Sequence, residues 1–177
     1  MHTQAQVTDR YRVVPRTLVF VRHGERLLLQ RRCASAPVWA GLFNGVGGHV
    51  ERGEDIVAAA AREVREETGL HVDGLRLVGV LHATDADGPD GVLVFVFTAT
   101  AGTDVVEASA EGELAWVDPA AAPGLPLVPD LPTLLPLLRA ESGAEVFVAR
   151  TTPDGGVLAP AAPGGSSDGL SGSTAPT

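Results

Sequence analysis

The chain contains no lysine: its thirteen Lys and Arg positions are all arginines, set against 22 Asp and Glu for a formal net charge of -9. Such a surface repels a polyanionic backbone, so extended nucleic acid is not an expected partner. The missing lysine also weakens any P-loop reading. Residues 48–53 have the glycine spacing of that loop but continue into Glu54 and Asp55, with no lysine to reach a phosphate. A single cysteine, Cys33, provides no internal disulfide framework and suits a reducing compartment, where it reads as a small buried or half-buried thiol. No stretch approaches the roughly 18–20 apolar residues that span a bilayer, and the first residues have no apolar signal-like run. Export and membrane insertion are therefore not expected, and a cytoplasmic location is. Gly45, Gly47 and Gly48 do not give the dinucleotide fingerprint. The histidines His2, His23, His49, His71 and His82 are scattered, with no local Ser/His/Asp or Cys/His arrangement.

What remains is a chain of 177 residues with 45% apolar and 20% charged side chains, enough for one globular domain with a sizeable core. Strands are expected over 11–21, 25–32, 75–82, 92–100, 114–117 and 145–150, with a short glycine-rich strand within 42–50. Segment 55–68 is the clearest helix: it starts with acidic residues, is rich in alanine, and stops at Gly69, a residue suited to a left-handed C-cap. A second helix is expected over 130–140, with Asp130 as N-cap and Pro132 in its first turn, although Pro136 interrupts it. Residues 1–9 read as an extension and 10–152 as the domain. Residues 153–177, rich in Gly, Ala, Pro, Ser and Thr, read as a disordered tail. The fold class is α/β, two helices on a mixed sheet of short strands.

The chemistry is concentrated in 48–70, GHVERGEDIVAAAAREVREETGL. At 100° per residue, Glu63, Glu66 and Glu67 fall within an arc of roughly 100°. Val57, Ala60, Ala61 and Val64 form a neighbouring apolar stripe that would dock the helix. Clustered carboxylates repel one another unless a cation compensates, and hard oxygen donors without nearby His or Cys favour Mg2+, with Mn2+ as a substitute. The plain structural alternative is a solvated face whose charges pair with Arg62 and Arg65.

Read forward, Gly48, Glu54, Arg62-Glu63-Val64, Glu66-Glu67 and Gly69-Leu70 stand at the spacing of the Nudix box, and the chain resembles the Nudix hydrolases, MutT-like members among them. The resemblance implies a Nudix-type α/β/α sandwich with a mixed sheet, and an enzyme that cleaves a diphosphate bond in a nucleotide-like small molecule. Glu63, Glu66 and Glu67 would bind the divalent cation, together with the Gly48 backbone carbonyl. Arg62 would orient a carboxylate through a bidentate pair, and Glu54 would support. The cation would neutralise the polyanionic substrate and acidify a water, while Glu63 or a carboxylate of 107–116 takes the proton. Glu111 is preferred there over Glu107 and Glu113. An alternative of another class is a Nudix-shaped module that senses a nucleotide without cleaving it; the intact glutamates and Arg62 favour the enzyme.

Two further segments resemble the 8-oxo-dGTP diphosphatase branch of that family. LFNGVGGHV places Asn44 where that branch has an asparagine that contacts a purine, and LPLVPDLPTLLPLL places Asp130 at the base edge. The branch's second acidic residue is Leu131 here, and its stacking aromatic is Val128. Purine nucleoside triphosphates, oxidised ones included, are thus the expected substrates, cleaved to monophosphate and pyrophosphate. ADP-ribose, nucleoside diphosphates and dinucleoside polyphosphates are the alternatives. Oligomeric state is not legible.

Overall fold

The computed structural model describes residues 10–84, 90–107, 111–138, 145–151 and 156–158. Residues 1–9, the end of the second expected helix at 139–140, and 159–177 of the expected tail lie outside them. Strands β1 (Arg12–His23), β2 (Arg26–Arg32), β3 (Phe43–Asn44), β4 (Val72–Thr84), β5 (Asp90–Ala101), β6 (Gly112–Val117), β7 (Phe147–Thr151) and β8 (Val157–Leu158) form one sheet, with helices α1 (Ile56–Thr68) and α2 (Leu131–Leu137). The sheet order is β3-β2-β1-β5-β4-β7-β8, with β6 also paired to β2. The β1–β5 and β4–β7 ladders are parallel and the others antiparallel, so the sheet is mixed, as expected.

Alternation along the central strands divides the core in two. Leu18 and Phe20 of β1, Leu27 and Leu29 of β2, and Val96 of β5 pack on one face with Leu131, Leu134 and Leu138. Val19 and Val21, Leu28, Phe97 and Ala99 pack on the other with Ala60 and Val64 of α1. A sheet buried on both faces by one helix each is the α/β/α sandwich. Among the described residues no helix is long and apolar enough to cross a membrane.

Some elements differ from the sequence reading. The 42–50 segment yields only the two-residue β3, continued by single bridges Val19↔Val46 and Arg16↔His49, because its glycines bend the chain away from a full ladder. Ordered sheet extends past 152: Val157 and Leu158 pair with Thr151 and Arg150, so the low-complexity composition from 153 does not mark the end of the fold. Asp130 stands at the head of α2 but makes no side-chain capping bond. Val57 and Ala61 of the expected docking stripe are exposed, and Ala59 is buried instead.

Candidate active site

Helix α1 is fixed at both ends by local chemistry. The Asp55 carboxylate accepts from the N–H groups of Val57 and Ala58 at 2.9 and 3.2 Å, and Gly69, at φ 73°, closes the helix with its N–H on the Arg65 carbonyl. Ala59, Ala60, Val64, Glu67 and Thr68 form its buried side. Glu67, only 5% exposed, therefore lies within the docking face and not beside it. Glu63 stands at the margin with 13% of its side chain exposed, and Glu66 reaches solvent at 53%.

Arg62 organises the outer part of the cluster. Its Nε and Nη2 donate to the two Glu54 oxygens at 2.8 and 2.9 Å, the bidentate pair expected from the sequence. Nη1 donates to Glu63 Oε1 and to Glu66 Oε2, both at 2.9 Å, and Nη2 also reaches the His49 carbonyl at 3.1 Å. Five bonds match the five N–H groups of a guanidinium. Its bonds to Arg62, helped by the Glu51 N–H, hold the Glu54 carboxyl down to about 2, and Glu54 in turn raises Arg62 above its ordinary value.

The inner part is different in kind. Burial, followed by a shared hydrogen bond with Glu111 and the Glu111 charge, pushes the Glu67 carboxyl up to about 8, against the opposing pull of the Gly47 N–H. Glu67 Oε2 accepts from Gly47 N at 3.2 Å and lies 3.5 Å from Gln30 Nε2. Glu111 reaches this place from the head of β6, whose Gly112 pairs with Arg32 of β2, and its carbonyl accepts the Cys33 N–H at 2.9 Å. Glu113 instead lies 3.7 Å from Arg31 with its side chain 83% exposed, and Glu107 is exposed beside Gly69. Of the three loop carboxylates, the structure brings Glu111 to Glu67.

The glycines before α1 are steric necessities. At φ 148° a side chain on Gly47 would collide with the Thr17 carbonyl, and a methyl on Gly48 would lie 2.5 Å from Glu63 Oε2. The Gly48 carbonyl accepts the Thr17 N–H at 2.8 Å, which pins this loop to β1.

Arg16, Arg32 and Gln30 were not singled out by sequence reasoning. Arg16, bridged to His49 through the backbone, is partly buried in the combined field of Glu63, Glu67, Glu111 and Arg32. Burial and the Arg32 charge lower its pKa while those carboxylates oppose the shift. The long-range β1–loop pairing that places it there has no signal in a local pattern. Gln30, buried at 4% exposure, belongs with them.

The donor set fits a hard divalent cation: carboxylates of α1 and of Glu111, just before β6, meet beside a glycine whose absent side chain leaves room, and the buried Glu67 carboxyl, its pKa raised by burial and by Glu111, marks where positive charge is wanted. Among the described residues no three acidic, His or Cys side chains already converge as a ready metal cage, because Arg62 draws Glu63 and Glu66 to itself.

Asn44 and Asp130 come from distant segments that the fold joins. Phe43 N donates to the Pro126 carbonyl at 2.8 Å, Val128 N donates to the Phe43 carbonyl at 3.0 Å, and Phe43 pairs with Leu127. Asn44 Oδ1 accepts the Gly45 N–H at 2.9 Å, and its amide N–H groups have no partner among the described residues. Asp130 Oδ1 is buried with no partner among the described residues, and burial raises its pKa. Val128 and Leu131 are fully buried in the core on the α2 face, so neither offers a stacking or hydrogen-bonding group to a base.

A NUDIX domain model matches residues 11–138, spanning the sheet, the glutamate helix and α2. The chain belongs to the Nudix family and is, by class, a pyrophosphohydrolase. Over 122 residues this Nudix chain is 35% identical to the oxidized purine nucleoside triphosphate hydrolase of Mus musculus, covering 69% of the chain and 77% of the mouse protein. It is 33% identical over 117 residues to the NAD-capped RNA hydrolase NudC of Chromobacterium violaceum, covering 66% of the chain but 42% of that protein. The crystal structure of a MutT protein from Bacillus halodurans superposes with a TM-score of 0.67 at 25% identity, over 82% of this chain and 95% of that one.

Proposed function

We propose that this Nudix enzyme hydrolyses purine nucleoside triphosphates, oxidised forms among them, to the monophosphate and pyrophosphate, with Mg2+, or Mn2+ in its place, at the α1 carboxylates. The observation that carries the reading is the two-part carboxylate cluster: Glu54, Glu63 and Glu66 organised by Arg62, and Glu67 hydrogen-bonded to Glu111 close to Gly48. Glu63, Glu66, Glu67 and the Gly48 carbonyl would hold the cation. When bound it supplies neutralisation of the diphosphate and a more acidic water at the reacting phosphorus.

This chain's own residues do the rest. Arg62 fixes Glu63 and Glu66 in place, so their charge is ordered before substrate arrives. Because those two are tied to Arg62, Glu111 is the carboxylate that would accept the proton of the attacking water. Arg16 and Arg32 bring positive charge to the same place and would meet the phosphate chain, a task that falls to arginine in a protein without lysine. Asn44 and Asp130 would read the purine edge: the Asp130 carboxyl, whose pKa burial raises, accepts, and the Asn44 amide both donates and accepts. The mouse relative's substrate class agrees with that pairing. With Val128 and Leu131 in the core, selectivity for the oxidised base rests on fewer contacts than purine binding does. A cytoplasmic setting and a small-molecule nucleotide partner belong to the same proposal.

The test is a panel of nucleotides with Mg2+, with released pyrophosphate converted to phosphate by added pyrophosphatase. Purine triphosphates are expected to be cleaved fastest. Faster cleavage of ADP-ribose, dinucleoside polyphosphates or pyrimidine triphosphates overturns the substrate assignment, and no cleavage of any of them overturns the catalytic one.

A further inference from the structure

The strands carry a second cationic feature away from the carboxylates. Arg22 of β1 lies opposite Thr100 across the parallel β1–β5 ladder, and Arg76 of β4 lies opposite Thr98 across the β4–β5 ladder. Alternate residues of a strand share a face, so Thr98 and Thr100 point the same way, flanked by an arginine on each side about 12 Å apart, two strand spacings across and two residues along. All four line a recess of about 630 Å³ whose wall also includes Pro119, Ala120 and Leu138 at the end of α2. Six residues of β1 separate Arg22 from Arg16, which puts the recess roughly 20 Å along the strand from the carboxylate cluster.

Arg22 and Arg76 are half-buried residues, and among the described residues neither guanidinium has an ion pair or hydrogen bond. Two acidic side chains share the recess and do not fill that role. Asp118 accepts the Ala120 N–H at 2.8 Å within its own turn, and Glu25 stands exposed on the β1–β2 turn. Thr100 Oγ1 donates to the Asp73 carbonyl at 3.2 Å, while the Thr98 hydroxyl has no partner among the described residues. Two arginines without acceptors, facing one recess beside a free hydroxyl, favour an oxyanion that completes their bonds.

We propose that this recess is a second, non-catalytic binding site for a phosphate group, carried free or as a phosphate monoester. Arg22 and Arg76 grip it from opposite sides, Thr98 donates from the floor, and the apolar wall of Pro119, Ala120 and Leu138 takes the ester's organic part.

Titration calorimetry of the full chain with inorganic phosphate, and separately with a purine nucleoside monophosphate, tests this in wild type, Arg22→Gln, Arg76→Gln and Glu67→Gln. Each arginine variant is expected to weaken phosphate binding about tenfold or more, and Glu67→Gln to leave it unchanged. Glu25→Gln, which removes a repelling charge, is expected to tighten it. Stronger binding of the monophosphate that Arg22→Gln and Arg76→Gln weaken and Asn44→Ala does not assigns the recess to esters, and binding equal to that of inorganic phosphate assigns it to free phosphate. Unchanged affinity in both arginine variants, loss of binding in Glu67→Gln alone, or no binding at 10 mM phosphate (on the order of the weakest useful affinity) overturns the proposal.

Discussion

The two helices lie on opposite faces of one sheet and treat their carboxylates in opposite ways. On the α1 face Glu54, Glu63 and Glu66 hold Arg62, and Glu67 holds Gly47 and Glu111. At the head of α2, Asp130 keeps a buried oxygen with no partner among the described residues. A group that waits on a strong, general ligand such as a divalent cation is pre-ordered by its neighbours. A group that must tell one base from another is left for the substrate to complete, because an unmet buried donor or acceptor penalises the wrong partner.

Removing Arg62 breaks the ordered side most severely. Arg62→Ala is expected to lower kcat about 10²–10³-fold and to reduce the melting temperature, since Glu54, Glu63 and Glu66 then face one another without a cation. Arg62→Lys should recover little of the rate, because an ammonium cannot hold two oxygens of Glu54 while reaching Glu63 and Glu66. Steady-state kinetics with a melting curve for each variant checks both. Near wild-type turnover in Arg62→Ala would remove the clamp from the mechanism.

The unmet side should respond differently. Asn44→Ala and Asp130→Ala are expected to raise KM for purine triphosphates about tenfold while lowering kcat less, as loss of ground-state binding does. Asp130→Asn, which keeps a donor and an acceptor, should retain more affinity than Asp130→Ala. A kcat effect larger than the KM effect in these variants would place both residues in the chemistry and dissolve the contrast.

Glu67 adds a pH signature. Its folded value, about 8, lies above the ordinary 4.5, so between those limits the native state binds a proton that the unfolded chain has released. Stability of the metal-free protein should therefore be greatest at the acid end of that window and fall as pH rises through 8, by an amount on the order of 1–3 kcal/mol, or a few degrees in Tm. Melting curves from pH 5 to 8.5 should flatten in Glu67→Gln and in wild type with Mg2+. The smallest effect is expected from deleting 159–177: with little to bury in Gly, Ala, Pro and Ser, the truncated chain should match full length in Tm and rate.

Much of the α1 side was legible in the sequence because its determinants are local. Asp55, the alanine run, the three- and four-residue spacing of the glutamates and Gly69 all act within one helix. What a wheel cannot show is which arc meets the sheet, and that is why Glu67 turned out buried while Val57 and Ala61 face outward. Arg16 and Gln30 enter the site through strand pairings far from the box, and no periodicity marks them. The α2 side was less legible for the same reason. The segments that carry Asn44 and Asp130 are joined by the pairing of Phe43 with residues 126–128, and the sequence could not show that Val128 and Leu131 belong to the core.

The central claim is that the α1 carboxylates hold a divalent cation, and Mn2+ binding followed by electron paramagnetic resonance reads it without reference to any substrate. Wild type should bind Mn2+, Glu63→Gln, Glu66→Gln and Glu67→Gln should each weaken it about tenfold or more, and Asp130→Asn should leave it unchanged. Equal Mn2+ affinity across all five proteins would contradict the claim.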